Sequence, residues 1–192
     1  MYIPSHFEVT DLAEIHAFIE ANGFGQLITD VDGRPFSTHL PVMFGSDKDR
    51  LICHLAKANP QSQSLHGKQI LVTLEGPHDY ISPSWYHSPG VPTWNYQAVH
   101  IYGVCEVFTD MIRLDAVVRA LTQKYEAKQK DPWKPEFNPA RLGAIVGVEI
   151  SIQEIQCKYK LSQNRPDEDR IEVIQRLEER GAINLAQAMR NV

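Results

Sequence analysis

From Phe24 to Gly76 the chain passes through short β-rich runs joined by turns rather than by crossover helices. FGQLIT and FSTHLPVMF flank the turn VDGRP, LICHLA follows the polar turn GSDKDR, and QILVTLEG follows a loop with a short helix in KANPQSQSLHGK. A parallel pair needs a crossover of a dozen or more residues, so this order predicts antiparallel pairing. Asp32-Gly33 between two β-rich runs signals a tight hairpin. Pro41 cannot donate to a central ladder, which puts its strand at an edge or a bulge. Further on, QAVHIYGVCEVF reads as a long strand with Val99, Ile101, Gly103, Cys105 and Val107 on one face. AIVGVEISI and EIQCKYKLS read as two more strands. The expectation is a mainly β (α+β) fold, an antiparallel barrel of about six to eight strands with flanking helices.

Helical spacing marks the remainder. Asp11 and Glu14 form a capping-box pattern ahead of Leu12, Ile15, Phe18 and Ile19, and Gly23 follows at a C-cap position. DMIRLDAVVRALTQKYEA places Ile112, Leu114, Val117, Val118 and Leu121 at amphipathic spacing. DPWKPEFNPARLG is a proline-broken loop with one helical turn. Beyond Pro166, PDEDRIEVIQRLEERG and AINLAQAMRN are helices separated at Gly181, the first with acids at its start and arginines at its end to match the dipole.

The 192 residues fit one large domain or one domain with an appendage. A formal charge of −5 argues against the broad basic face that duplex DNA requires. Cys53, Cys105 and Cys157 lie far apart with no C-x-x-C, so buried free thiols in a reducing cytoplasm are expected. MYIPSHFEVTD has neither a basic n-region nor an apolar core, and no stretch has the apolar length of a membrane span. The reading is a cytoplasmic protein with no membrane contact. G-x-G-x-x-G, the Walker loop, G-x-S-x-G and H-E-x-x-H are all missing, so no catalytic residue is assigned and no protein metal site is expected.

Chemistry gathers in four stretches. His78–Gly103 holds Trp85, Trp94, Tyr80, Tyr86, Tyr96 and Tyr102, broken by Pro83, Pro89 and Pro92. Aromatic rings with polar tips on proline-stiffened loops suit the edge of a planar heteroaromatic ligand; the same residues also suit an aromatic mini-core. His54, Lys57 and Asn59 sit where a strand runs into a loop, a place for a phosphate or simply for a solvated lysine and a wall histidine. Thr38 and His39 precede Leu40-Pro41, where backbone groups left free near the proline suit a ligand's amide edge, and where ordinary β packing is the alternative. Lys158, Lys160 and Arg165 give the last strand a positive rim, for an anion or for edge protection.

Taken together, MYIPSHF, STHLP, HLAKANPQ, GPHDYISPSWY, VPTWNYQAVHIYG and KLSQNR closely resemble the PaiB-like family, in order, from Met1 to about Gln163. That family is described as FMN-binding negative transcriptional regulators with a split-barrel flavin-binding fold. The resemblance implies a split-barrel domain over residues 1–165, a helical extension over 166–192 packed on the barrel or dimer, and a homodimer with one FMN at each end of the subunit interface. It makes HLAKANPQ the phosphate stretch (His54, Ala56, Lys57, Asn59) and lays Thr38, His39, Leu40 and Pro41 along the isoalloxazine ring. Trp85, Tyr86, Trp94 and Tyr96, with Lys160, Ser162 and Gln163, close over that ring. A sensing or regulatory role is implied. Direct DNA contact would rest on the helix pair Pro166–Arg180 and Ala182–Arg190, which carries almost as much acid as base. The alternatives are an FMN-dependent oxidoreductase, flavin reductase-like or pyridoxamine-phosphate-oxidase-like, with His39, His87 or Tyr96 as proton donor, and a haem-binding protein.

Overall fold

The computed structural model describes residues Met1–Val192. Seven strands form one sheet in the order β2-β1-β5-β6-β7-β4-β3. By compactness the chain divides into two units: residues 1–18, 74–100 and 156–192 form one, and residues 19–73 and 101–155 the other.

In the second unit, β1 (Phe24–Val31) and β2 (Arg34–Pro41) make the hairpin signalled by Asp32-Gly33. Both turn residues take positive φ, 53° and 76°, and the Gly33 N–H donates to Asp30 Oδ1 at 2.9 Å. The turn fixes a register that pairs Val31 with Arg34 and Phe24 with Pro41, so Gly25, Leu27 and Thr29 point inward. Pro41 closes a strand at the sheet edge, as its missing donor demands. Gly23 allows a close approach: an added Cβ would lie 2.8 Å from the Val42 carbonyl oxygen, while the Val42 N–H donates to the Gly23 carbonyl at 2.7 Å.

β3 (Met43–Phe44) pairs with β4 (Arg50–Ala56), which in turn pairs with β7 (Ile145–Lys160). Leu51, Cys53 and Leu55 of β4 thereby face the core opposite Ile150, Val148 and Val146. The two strands expected from AIVGVEISI and EIQCKYKLS are one 16-residue strand. Gln153, the one residue between the two patterns, is simply an exposed position within it, and no Gly or Pro near it turns the chain.

β5 (Gln69–Ile81) and β6 (Thr93–Phe108) also run longer than their apolar patterns suggest. The aromatic stretch is therefore only partly loop: His78–Ile81 finish β5, and Trp94, Tyr96 and Tyr102 stand on β6. Val99, Ile101, Gly103 and Cys105 alternate inward as expected, but Val107 does not. Its N–H donates to His66 Nδ1, and the phase shifts so that Phe108 takes the core position. Phe108 packs flat on Gly147, where a Cβ would lie 2.2 Å from its ring, and the Arg113 guanidinium stacks 3.9 Å above that ring. Leu114 and Val117 of α2 (Met111–Glu126) join Phe108 in this cluster. Ile112, expected on the same face, is 81% exposed. A four-residue turn, α3 (Pro139–Leu142), precedes β7.

α1 (Leu12–Ala21) starts as its capping pattern predicts, with Asp11 Oδ1 accepting from the Ala13 N–H at 2.7 Å, and buries Ile15, Phe18 and Ile19. In the first unit, α4 (Asp167–Glu179) and α5 (Ile183–Arg190) bury Val173, Ile174, Leu177, Leu185 and Met189. Gly181, at φ 82°, makes the turn, with the Ala182 N–H reaching back to the Leu177 carbonyl at 2.8 Å. All three cysteines are free and buried, and burial pushes the Cys105 and Cys157 thiols up to about 12. No helix is long and apolar enough to cross a membrane.

Gly103 faces the Ser151 carbonyl oxygen so closely that a Cβ would lie 2.4 Å from it. Gly103→Ala should destabilise the fold by about 1–3 kcal/mol, the cost of overpacking against backbone. Urea titration reads this as a lower midpoint at unchanged slope.

Candidate functional site

The expected site residues fall into two groups, one in each compact unit. The first joins β1 and β2 to the segment after β4. Asn59 caps a 3-10 turn over Pro60–Gln63, its Oδ1 accepting from the Gln61 N–H at 2.9 Å. Gln61 is fully buried, and its amide is satisfied throughout. Nε2 donates to the Leu27 carbonyl at 3.1 Å and to Thr29 Oγ1 at 2.9 Å, and Oε1 accepts from the Thr38 hydroxyl at 2.7 Å. Asn59 Nδ2 donates to the same Thr38 oxygen at 2.9 Å. Thr38, Asn59 and Gln61 thus form a closed bracket that fastens the 57–63 segment to the edge hairpin. Ser62 Oγ adds bonds to the Lys57 and Asn59 carbonyls, and the Lys57 N–H donates to the Ala144 carbonyl at 2.8 Å.

The bracket leaves other groups at the surface. Lys57 and Ala56 are exposed, so a fixed backbone presents a free-ranging ammonium beside a small residue. His54 is half-buried, and its enclosed Nδ1 has no hydrogen-bond partner. Burial holds its pKa below the ordinary value, so the ring is neutral at pH 7. On β2, Leu40 points into the core while His39 is exposed with its ring stacked 6.5 Å from Phe24. As an edge strand, β2 turns alternate backbone groups away from β1.

The second group lies in the first unit. Trp94 is 53% exposed, with Tyr80 edge-on at 6.3 Å. Tyr96 is half-buried, and the Lys158 ammonium sits 5.3 Å from its ring centroid. A cleft of about 300 Å³ is lined by Glu75, His78, Trp94, Tyr96, Gln97 and Ala98. Trp85 ends a short 3-10 turn that Ser82 caps, and Tyr86 follows it. Tyr86 packs under the Arg165 guanidinium, 4.3 Å from its centroid.

The turn after β7 is tightly specified. Ser162 is buried with φ 66°, a left-handed conformation held by the side-chain pair it makes with Asn95 at 2.9 Å. Gln163 closes the same turn, its Nε2 donating to the Tyr159 carbonyl at 2.6 Å and its Oε1 accepting from the Leu161 N–H at 2.7 Å. Lys160 Nζ donates to Thr93 Oγ1 and to the Trp94 carbonyl, both at 2.6 Å. Its pKa is lowered, first by burial and then by the neighbouring charges of Lys158 and Arg165. Lys158 is 7% exposed and donates to the Tyr2 carbonyl at 3.1 Å. Lys158 and Lys160 are thus held by carbonyls and rings rather than by carboxylates.

Three residues here were not singled out from the sequence: Gln61, Asn95 and Asp169. All are polar and essentially inaccessible. Gln61 and Asn95 stand inside the quoted motifs HLAKANPQ and VPTWNY, which was the available signal. By its position Asp169 reads as an acid serving the α4 dipole. It instead accepts from the His87 N–H at 2.7 Å, from the Ser88 N–H at 3.2 Å and from the Ser88 hydroxyl.

Residues 1–154 match the family described as "Putative FMN-binding domain". The chain is 41% identical over 189 residues to the protease synthase and sporulation protein PAI 2 of Bacillus subtilis (strain 168), covering 93% of this chain and 89% of that protein. Among solved structures, the flavocytochrome Anf3 from Azotobacter vinelandii superposes with a TM-score of 0.67 at 18% identity, covering 82% of this chain and 72% of that one. The FAD and heme binding protein from Mycobacterium smegmatis gives a TM-score of 0.67 at 16% identity over 84% and 78% of the two chains. These likenesses show the fold, an antiparallel split β-barrel of the flavin-binding type.

Gln61→Leu opens the bracket, leaving the Thr38 hydroxyl without its acceptor and Thr29 Oγ1 and the Leu27 carbonyl without the amide that donates to them. It should cost about 1–3 kcal/mol, read by urea titration, and speed amide exchange across 57–63. His54 and His100 both have pKa values lowered chiefly by burial. Their contribution is fully present above the unfolded value of about 6.5 and is lost as pH falls through the folded values. The melting temperature should therefore drop from pH 7.5 to 5.5, and the double variant His54→Gln/His100→Gln should flatten that slope.

Proposed function

We propose a function from one premise: the chain belongs to the PaiB-like family of FMN-binding-domain proteins. Its cofactor is FMN. The residues present fit that molecule. An exposed ammonium on a pinned segment and an edge strand with outward backbone groups match a phosphate followed by a heteroaromatic amide edge. The observation that carries the reading is the Thr38–Asn59–Gln61 bracket, which makes STHLP and HLAKANPQ one rigid piece. In this reading Lys57, with His54, Ala56 and Asn59, holds the phosphate end, and Thr38–Pro41 lies along the ring. The chain acts as a homodimer in which the aromatic set and the Lys160–Gln163 turn close over the ring from the other subunit. FMN supplies hydride and electron chemistry when bound; the chain supplies placement and shelter.

The role we infer is sensory and regulatory, carried through a protein partner. The relationship to PAI 2, whose name ties that protein to protease synthesis and sporulation, supports regulation. The helix pair argues against a direct grip on DNA, because its arginines are engaged by acids: Arg176 by Glu172 and Glu179, Arg190 by Glu178, and Arg170 by Asp167. A second reading, an FMN-dependent oxidoreductase, is favoured by the cleft beside Trp94 and Tyr96, whose size suits a small molecule.

Protein incubated with FMN and freed of excess should keep a flavin absorption spectrum, and Lys57→Ala should weaken binding about tenfold or more, the worth of one charge-assisted contact. A colourless protein after loading would sink the reading. Anaerobic bleaching by a reduced nicotinamide would favour the enzyme over the sensor.

A further inference from the structure

The segment after β7 lies beyond residues 1–154, the part matched by the FMN-binding family, yet it is bonded to the aromatic loop between β5 and β6 at several points. Asp169 is 1% exposed, and its carboxylate accepts from the His87 and Ser88 N–H groups and from the Ser88 hydroxyl. Arg165 Nη1 donates to the Pro89 carbonyl at 2.9 Å while its guanidinium covers the Tyr86 ring. Arg180 lies 5.3 Å from the Trp85 ring centroid and 3.8 Å from Asp79. Gly90 completes the fit: a Cβ there would lie 2.2 Å from Tyr86, so the Ser-Pro-Gly turn folds directly against that ring.

These contacts are not what a helix start or a surface arginine needs for itself. Asp167 and Glu168 remain exposed in the first turn of α4 and suffice for its dipole, whereas Asp169 is turned onto the loop. A carboxylate this enclosed is tolerable only with its lone pairs filled, and loop donors fill them. Without these bonds, residues 82–92 would be a proline-interrupted loop with two large rings and little of its own to order it.

We propose that Arg165 and Asp169 are positioning residues of the flavin site, a clamp supplied by the C-terminal segment that sets Trp85 and Tyr86 before the cofactor arrives. The inference rests on the flavin reading above. A pre-set loop binds more tightly because less motion is lost on binding, and it releases its ligand more slowly. Arg165 acts through its flat guanidinium on Tyr86, so lysine is a poor replacement there. Asp169 acts through its two oxygens on His87 and Ser88.

The test uses full-length protein loaded with FMN. Asp169→Asn keeps the size but puts an amide where the Ser88 hydroxyl donates. It should raise amide exchange over 85–91 in the cofactor-free protein, speed FMN release about tenfold and alter the visible circular dichroism of bound flavin. Arg165→Ala should do the same, and the milder Arg165→Lys should fall between it and wild type while retaining the wild-type melting temperature. Release rates and flavin dichroism unchanged in Asp169→Asn and Arg165→Ala would overturn the clamp and leave the flavin reading standing. A wild-type protein that takes up no FMN would overturn both.

Discussion

A side-chain amide sealed from water costs about 1–3 kcal/mol for each group left unbonded, so Gln61 can occupy a buried position only where complementary atoms converge. Leu27, Thr29 and Thr38 meet that demand, and two of them stand on a strand whose inward face is fixed by a two-residue turn. The chain of dependence is short. Asp32 and Gly33 take positive φ, the turn sets the register, the register turns Thr29 and Leu27 inward, and the inward set receives the glutamine. The loop that carries Lys57 is then held without any charged contact of its own. A register slip of one residue would put Thr29 and Leu27 on the outer face and leave Gln61 nowhere to go.

Much of this was legible in the chain. The hairpin, the edge position of Pro41, the capping of α1 and the Gly181 turn each follow from one or two residues acting locally, and the structure bears them out. What failed was pattern reading over longer spans. Two strand patterns meet at Gln153 and read as separate, but a strand continues wherever pairing does and nothing there forbids φ and ψ. Ile112 fits a helical stripe by spacing, yet its side of α2 faces water. Val107 is only half-buried and Phe108 takes the core position, although the alternation of the preceding residues points to Val107. Gln61, Asn95 and Asp169 stayed hidden for a different reason: a buried polar residue is defined by partners remote in sequence, and Asp169 finds its partners about eighty positions away. The family motifs contain the first two without saying what they bond.

Charge is distributed with the same economy. The chain is acidic in total, yet Lys158, Lys160 and Arg165 occur within eight residues and rest on carbonyl oxygens and ring faces. Rings and carbonyls steady an ammonium without cancelling it, so positive potential survives there in a protein with negative net charge. The acids are spent elsewhere, notably on the arginines of α4 and α5.

The three thiols described with the core have a separate consequence. Only the thiolate is alkylated or oxidised at an appreciable rate, and burial holds Cys105 and Cys157 near 12 and pushes Cys53 higher still. At neutral pH the folded chain therefore presents almost no reactive thiol. A maleimide reagent would find little to attack, and disulfide-linked dimers would not build up on storage. Any response of this chain to oxidants would therefore have to run through groups other than its thiols.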